Sequence, residues 1–461
     1  MDEPLADLRK RKEQELRWKL AGLPDELKKW RERAQTKNAL EKSHSQITRL
    51  SLQIEGLQAK ISTELDKAVD EGMLWQRAEN LEKKALILHT IWDQFRTRLS
   101  LRLVSPFDAY LALADAYARE CYVPVYRRLR AIPSDQLCPA PLITFDQQVS
   151  PWIKPQTGAA DPGRQADNVL TPQELEDALD QLPLPLLGLP WSYLSYLPHV
   201  ALIAHEVGHA LERSAALTEL LDQAINRIPL VDDGHRPAWK AWRKEVFADW
   251  YGCMMGGPAY VLSLVDHLAN DESQIARQTR PHLNGSWTDY PTATVRVLFC
   301  CHALAIAGLA AEGSKVAGVW SSAYPQNRLE NFTSDFDAII NGFRSVIDLQ
   351  DGQFQGFGRT AMDDADRVAR LYRQGGKLGD REPKSARGYV TAGRLLAQEP
   401  PRDVPVQELW EKLRSHHLVS RPHGMAGAQA RGTPEPPPAP EEIDHLATML
   451  FARVDAPISG N

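Results

Sequence analysis

The sequence predicts a mainly α-helical protein, with a long N-terminal helical hairpin or coiled coil followed by a helical domain. Three observations carry this. Residues 1–100 are nearly free of glycine and rich in Leu, Lys, Glu, Arg and Gln, side chains that lose little freedom in a helix. From Leu40 onward apolar residues recur at heptad spacing. Beyond the hairpin helical patterns dominate, and the only stretch that reads as a strand is "PLITF" at 141–145.

The elements follow in order. Leu40, Ile47, Ile54, Ile61 and Ala68 occupy one core position of the heptad, with Leu50 and Leu57 at the other. "VDEGM" interrupts the pattern, and Gly72 suits the end of a helix. A second stripe runs through Leu74, Leu81, Leu88, Trp92, Phe95 and Leu99. An antiparallel hairpin is the simplest reading, an intermolecular coiled coil the rival. Trp18, Trp30, Trp75 and Trp92 are expected to pack the hairpin.

Ser105-Pro106 resembles a cap followed by proline at the first helical position, opening a helix to about Arg130. Proline, glycine and aspartate dominate 131–170, and "TPQELEDALDQL" restarts helix behind Thr171. "PLPLLGLPWSYLSYLP" is no regular helix, because its prolines remove backbone donors. Helical patterns resume at 236–269, 291–311, 333–349, 362–375 and 405–416. "GMAGAQARGTPEPPPAPEE" has the composition of a linker. Behind it, "EEIDHLATMLFARV" places Ile443, Leu446, Met449, Leu450 and Val454 on one helical stripe that must dock somewhere. The docking site is the chain's own core, a partner's groove or the cleft. These breaks divide the chain at 1–103, 104–350, 351–420 and 421–461.

Composition narrows the class. A chain of 461 residues can bury a large core, and its 43% hydrophobic and 25% charged residues are ordinary for a globular protein. A net charge of −6 gives no reason to expect nucleic-acid binding. The charged N-terminus is no secretory signal. The longest apolar run, "VLFCCHALAIAGLAA" at 297–311, is too short to span a bilayer and reads as a buried helix. Five cysteines without CxxC spacing are expected to be reduced core thiols. A cytoplasmic enzyme or scaffold fits, with no membrane insertion.

The chemistry lies in "HVALIAHEVGHALE" at 199–212. On a helix, His205 and His209 share one face about a turn apart, where they can grip one zinc ion. Glu206 sits beside them, placed to take a proton from a metal-bound water. Further on, "EVFADWYG" at 245–252 offers Glu245 as a third ligand, leaving one tetrahedral position open. Asp249, one turn along the same face, is placed to accept the second N–H of a ligating histidine. Gly208 and Ala248 would let the two helices approach closely.

HEVGH followed by E-x-x-A-D resembles the gluzincin metallopeptidases, particularly the CaaX-type and heat-shock-type peptidases and their soluble relatives. The resemblance covers about 198–300. It implies zinc on His205, His209 and Glu245, Glu206 as the base, and Asp249 as the orienting carboxylate. "DYPTATVRV" at 289–297 is similar to the family's H-P-P-x-x-x-R-[IV] segment, with Tyr290 in place of the histidine and Thr292 in place of the second proline. Tyr290 then either donates to the oxyanion or packs a loop, and Arg296 braces the active-site loops. The membrane-spanning helices of the CaaX-type relatives are absent from this sequence.

Other histidines receive plainer readings. His199 faces away from His205, His302 is a hydrogen-bonded core residue of an apolar helix or else lines the cleft, and nothing adds ligands to His416 and His417. The function expected is a zinc metallopeptidase acting on a peptide or protein. It is either constitutive or latent until a partner binds the N-terminal helices or the C-terminal tail. An extended substrate would add as a strand to an edge formed by "LLGLPWSYLSYLP". The alternative is an interaction or scaffold protein with a structural or regulatory peptidase-like domain.

Overall fold

The N-terminal third folds as the heptads require, with one helix more than a hairpin. The computed structural model describes residues 3–35, 40, 43–105, 107–130, 140–146, 152–154, 185–277, 286–325, 332–347, 356–375, 385–399, 408, 410–413 and 437–455. Helices α2 (His44–Asp70) and α3 (Leu74–Ser100) form the hairpin, and α1 (Glu3–Gln35) lies along both. Gly72, at φ +73°, ends α2. The amides of Gly72 and Met73 cap the carbonyls of Val69 and Ala68 at 3.1 and 2.8 Å. Every heptad residue from Leu40 to Ala68, and every residue of the second stripe, is buried inside this chain. The repeat is thus satisfied by an intramolecular bundle.

Two tryptophans depart from expectation. Trp30 and Trp92 pack edge to face at 5.7 Å, and the Trp92 indole donates to Glu26. Trp18 and Trp75 are 70% and 47% exposed instead, because their positions fall outside the apolar stripes that face the bundle core.

The bundle is closed by the far end of the chain. Helix α14 (Pro440–Asp455) lies on α2 and α3. Ile443, Leu446, Leu450, Phe451 and Val454 are buried in the bundle core, and Met449 packs against its margin. Gly56 makes the seat for Ile443: a Cβ there would stand 2.9 Å from the Ile443 Cδ1. Lys84, itself buried, pairs with Glu64 at 2.7 Å and Asp455 at 2.6 Å, and its ammonium lies 5.2 Å from the centre of the Phe451 ring.

The remaining helices build a second core. Helix α4 (Phe107–Arg130) is followed by strands β1 (Leu142–Asp146), β2 (Trp152–Lys154) and β3 (Leu186–Pro190). The sheet order is β1-β3-β2, with β3 parallel to β1 and antiparallel to β2. β3 is therefore the central strand. Over Leu186–Gly188 the expected peptide-accepting edge is already taken, since β1 and β2 pair with both sides of those residues. The prolines act as foreseen, because β3 passes into two 3-10 turns, Trp191–Ser195 and Leu197–Leu202, before regular helix begins.

Then come α5 (Ile203–Ser214), α6 (Thr218–Arg227), α7 (Arg236–Leu268), α8 (Glu272–Arg277), α9 (Ala293–Ile306), α10 (Ala310–Ala323), α11 (Phe336–Ile347), α12 (Arg359–Arg373) and α13 (Ala386–Gln398). α7 is the central element, packed against α5, α9 and α13. Among the described residues, Cys121, Cys253, Cys300 and Cys301 are buried free thiols, and no helix is long and apolar enough to cross a membrane. His302 is hydrogen-bonded as expected, to Asp337 at 2.8 Å, but is half-buried and not a core residue. The expected helix at 171–182 and the pair His416–His417 lie outside the described residues; of the helix expected at 405–416, residues 410–413 are described as helical.

The tail should therefore behave as part of the bundle. Removing residues 433–461 is expected to lower the midpoint of chemical denaturation and increase binding of a hydrophobic dye. Leu450→Ala alone should cost about 2–5 kcal/mol. Unchanged denaturation in both variants would show that the helix adds nothing to stability.

Candidate metal centre

Two helices bring the candidate residues together. α5 carries His205 and His209, and α7 carries Glu245 and Asp249. Gly208 faces Ala248 at the crossing, where a Cβ on Gly208 would lie 3.1 Å from the Ala248 Cα and 3.1 Å from the Tyr251 Cβ. The small residues set the helix separation, and the separation lets side chains from both helices reach one point.

At that point His205, His209 and Glu245 form a buried triad whose ligand atoms lie within 4.8 Å of one another. The two Nε2 atoms are 3.1 Å apart. Glu245 oxygens stand 3.3 Å from His205 Nε2 and 3.5 Å from His209 Nε2. Ligands bound tetrahedrally at about 2.0–2.1 Å from one ion are separated by about 3.3–3.4 Å. Two imidazole nitrogens and a carboxylate at these separations fit a divalent cation that accepts mixed N and O ligands, and zinc is the common one.

Behind the triad stands a second layer. Asp249 is completely buried, with Oδ1 3.0 Å from His205 Nδ1. Arg296, from α9, grips both oxygens of Asp249 at 2.7 Å and lies 3.9 Å from Glu245. Tyr260 donates to Asp249 Oδ1 at 2.5 Å, with its oxygen 3.2 Å from His205 Nδ1. His209 has no such support: its Nδ1 is buried and meets no hydrogen-bond partner among the described residues.

Charges of both signs meet at the site. Burial alone would lower the His205 pKa, but bonds to Asp249 and Glu245 outweigh it and raise it to about 9. Burial and the neighbouring His205 push His209 far below its usual value. Burial would raise the Asp249 carboxyl, yet the Arg296 guanidinium beside it holds it well below the carboxylate range. Burial, then the charge of Asp249, raises the Tyr260 phenol, which stays a neutral donor.

Glu206, beside His205 on α5, is buried next to the triad. Tyr290 is 61% exposed at the margin of the site. The charge of Glu245 raises its phenol pKa, with partial burial and Glu206 adding to the effect. His199 packs against Tyr193 and Tyr196, turned to other neighbours than the triad. The residue that the spacing does not reveal is Tyr260. "GCMMGGP" at 252–258 signals a break in α7, but not that the residue beyond the break returns to Asp249.

Compared with protein-family models, curated proteins and solved structures, the chain shows no significant match.

The geometry makes a compositional prediction. Purified protein should hold about one zinc ion per chain by elemental analysis, and alanine at His205, His209 or Glu245 should remove it, since two ligands hold zinc far more weakly than three. Full occupancy in Glu245→Ala would exclude Glu245 from the ligand set.

Proposed function

We propose that this protein is a zinc metallopeptidase of the gluzincin type, acting on peptide bonds of a peptide or protein substrate. The observation that carries the reading is the convergence of His205, His209 and Glu245, with ligand atoms 3.1–3.5 Å apart and Glu206 in the HExxH position beside them. A bound zinc ion supplies Lewis-acid polarisation of a carbonyl and acidifies a water. Glu206 accepts the proton of the attacking water and returns it to the leaving amine. Asp249 holds the His205 ring, and Arg296 holds Asp249. Tyr290, exposed at the margin, donates a hydrogen bond to the oxyanion.

Burial supports a latent form of this enzyme. His205, Glu206, His209 and Glu245 are each 9% exposed or less, so little of the site is open to solvent. A partner that binds the N-terminal bundle or its docked tail is the kind of trigger such an arrangement needs. The rival is a scaffold that uses the metal for structure; it predicts a zinc-loaded protein that cleaves nothing in a broad peptide mixture.

Glu206→Gln separates the readings. It should retain zinc and the fold while abolishing hydrolysis, because an amide cannot serve as a base; cleavage at the wild-type rate would assign the base elsewhere. Tyr290→Phe should lower kcat by about 10²-fold with little effect on KM. An unchanged kcat would remove Tyr290 from the oxyanion role.

A further inference from the structure

The two histidines of the triad are supported unequally, and the difference has a structural cause in α7. The helix is broken at Gly257, which adopts φ +57° and ψ −144° and is followed by Pro258. Proline has no N–H, so the carbonyl of Met254, four residues earlier, loses its helical partner. The Phe357 amide takes that place, donating to the Met254 oxygen at 2.7 Å. Its ring closes over the break, where a Cβ on Gly257 would lie 2.2 Å from the Phe357 Cδ1. Gly252 clears the remaining space, since a Cβ there would come within 2.6–2.8 Å of the Tyr260 ring. These features bring Tyr260 back over the preceding turns. Its ring lies nearly parallel to His205, at 11° and 6.3 Å between centres.

We infer that Tyr260 is a positioning residue that, together with Asp249, holds His205 in its metal-binding tautomer, an inference that rests on the metal-centre reading above. Tyr260 commits its proton to Asp249 Oδ1 at 2.5 Å. Its oxygen then faces His205 Nδ1 at 3.2 Å as an acceptor, and Asp249 Oδ1 faces the same nitrogen at 3.0 Å. Two acceptors around Nδ1 require the ring to carry its proton there. The Nε2 lone pair is thereby directed at the point where His209 and Glu245 converge. Arg296 already holds both oxygens of Asp249, so the carboxylate does not need the phenol to remain ionised. What the phenol adds is a second acceptor on His205 and a stop against rotation of Asp249.

The test compares metal affinity and the cobalt spectrum in the full-length chain. Zinc affinity is read by chelator competition, and ligand geometry by the visible absorption of the cobalt(II)-substituted protein. Tyr260→Phe keeps the ring and removes the hydroxyl; Gly252→Ala keeps the hydroxyl and displaces the ring. Both should weaken zinc binding by about 10- to 100-fold and shift the cobalt bands. Tyr251→Phe is the control, because Tyr251 is as deeply buried and its hydroxyl bonds the Cys121 carbonyl at 2.6 Å, away from the triad. It should lower the melting temperature without changing metal affinity. If Tyr260→Phe behaves like Tyr251→Phe, with wild-type affinity and an unchanged cobalt spectrum, the inference fails while the metal centre stands. Should Tyr260→Phe not fold, Gly252→Ala decides by the same readings. A wild-type chain that binds neither zinc nor cobalt overturns both the inference and the reading beneath it.

Discussion

The close approach of α5 and α7 at Gly208 and Ala248 is the constraint on which the site depends. His205 and His209 come from one helix, Glu245 and Asp249 from the other, so no local turn geometry can bring them together. Only the separation of the two helix axes does so. A side chain at 208 would already be 3.1 Å from the Ala248 Cα, and backbone does not yield as a flexible side chain does. Anything larger than glycine must move the helices apart. The ligand edges of 3.1–3.5 Å leave little tolerance for such a shift.

That packing concentrates charge. Glu206, Glu245 and Asp249 place three carboxylates in a buried region, and Arg296 is the one guanidinium seen bonding there among the described residues. Burying ions is expensive unless each is paired and hydrogen-bonded. Asp249 meets that condition through Arg296, Tyr260 and His205. His205, which against its burial Asp249 and Glu245 raise toward its charged form, is a second positive partner beside Arg296.

Much of this was legible in the sequence because the signals were periodic. The heptad from Leu40 to Ala68 and the stripe from Leu74 to Leu99 fall on buried faces. The HExxH spacing puts both imidazoles on one helical face, and Glu245 and Asp249 sit one turn apart. What escaped involves partners distant in sequence. The heptad does not say whether its face meets a second copy or α1 and α14. An indole outside the stripe, as at Trp18, looks like any other hydrophobic residue in the sequence. Proline spacing in 183–198 excludes helix, yet does not reveal that β3 takes the middle of a sheet. Tyr260 depends on a helix break stabilised by Phe357, a contact made across the fold.

The small sheet explains how two cores form one molecule. Side chains alternate across a strand, and here the alternation divides between the cores. Leu142 and its register partner Leu186 are buried in the bundle core, whereas Ile143 and its partner Leu187 belong to the core around α7. Arg102, at the end of the bundle, reinforces the join: it grips Asp115 of α4 with two 2.8 Å bonds and the Ile143 carbonyl with a third. β3 then runs through its two 3-10 turns directly into the helix of His205 and His209. The strand that contributes Leu186 to the bundle is thus the strand that sets where the metal-site helix begins. α14 packs on the bundle and not on the triad, and among the described residues the sheet and Arg102 join that bundle to the core around α7. The bundle is therefore packed continuously with the helix that carries His205 and His209, although it supplies none of the triad's residues.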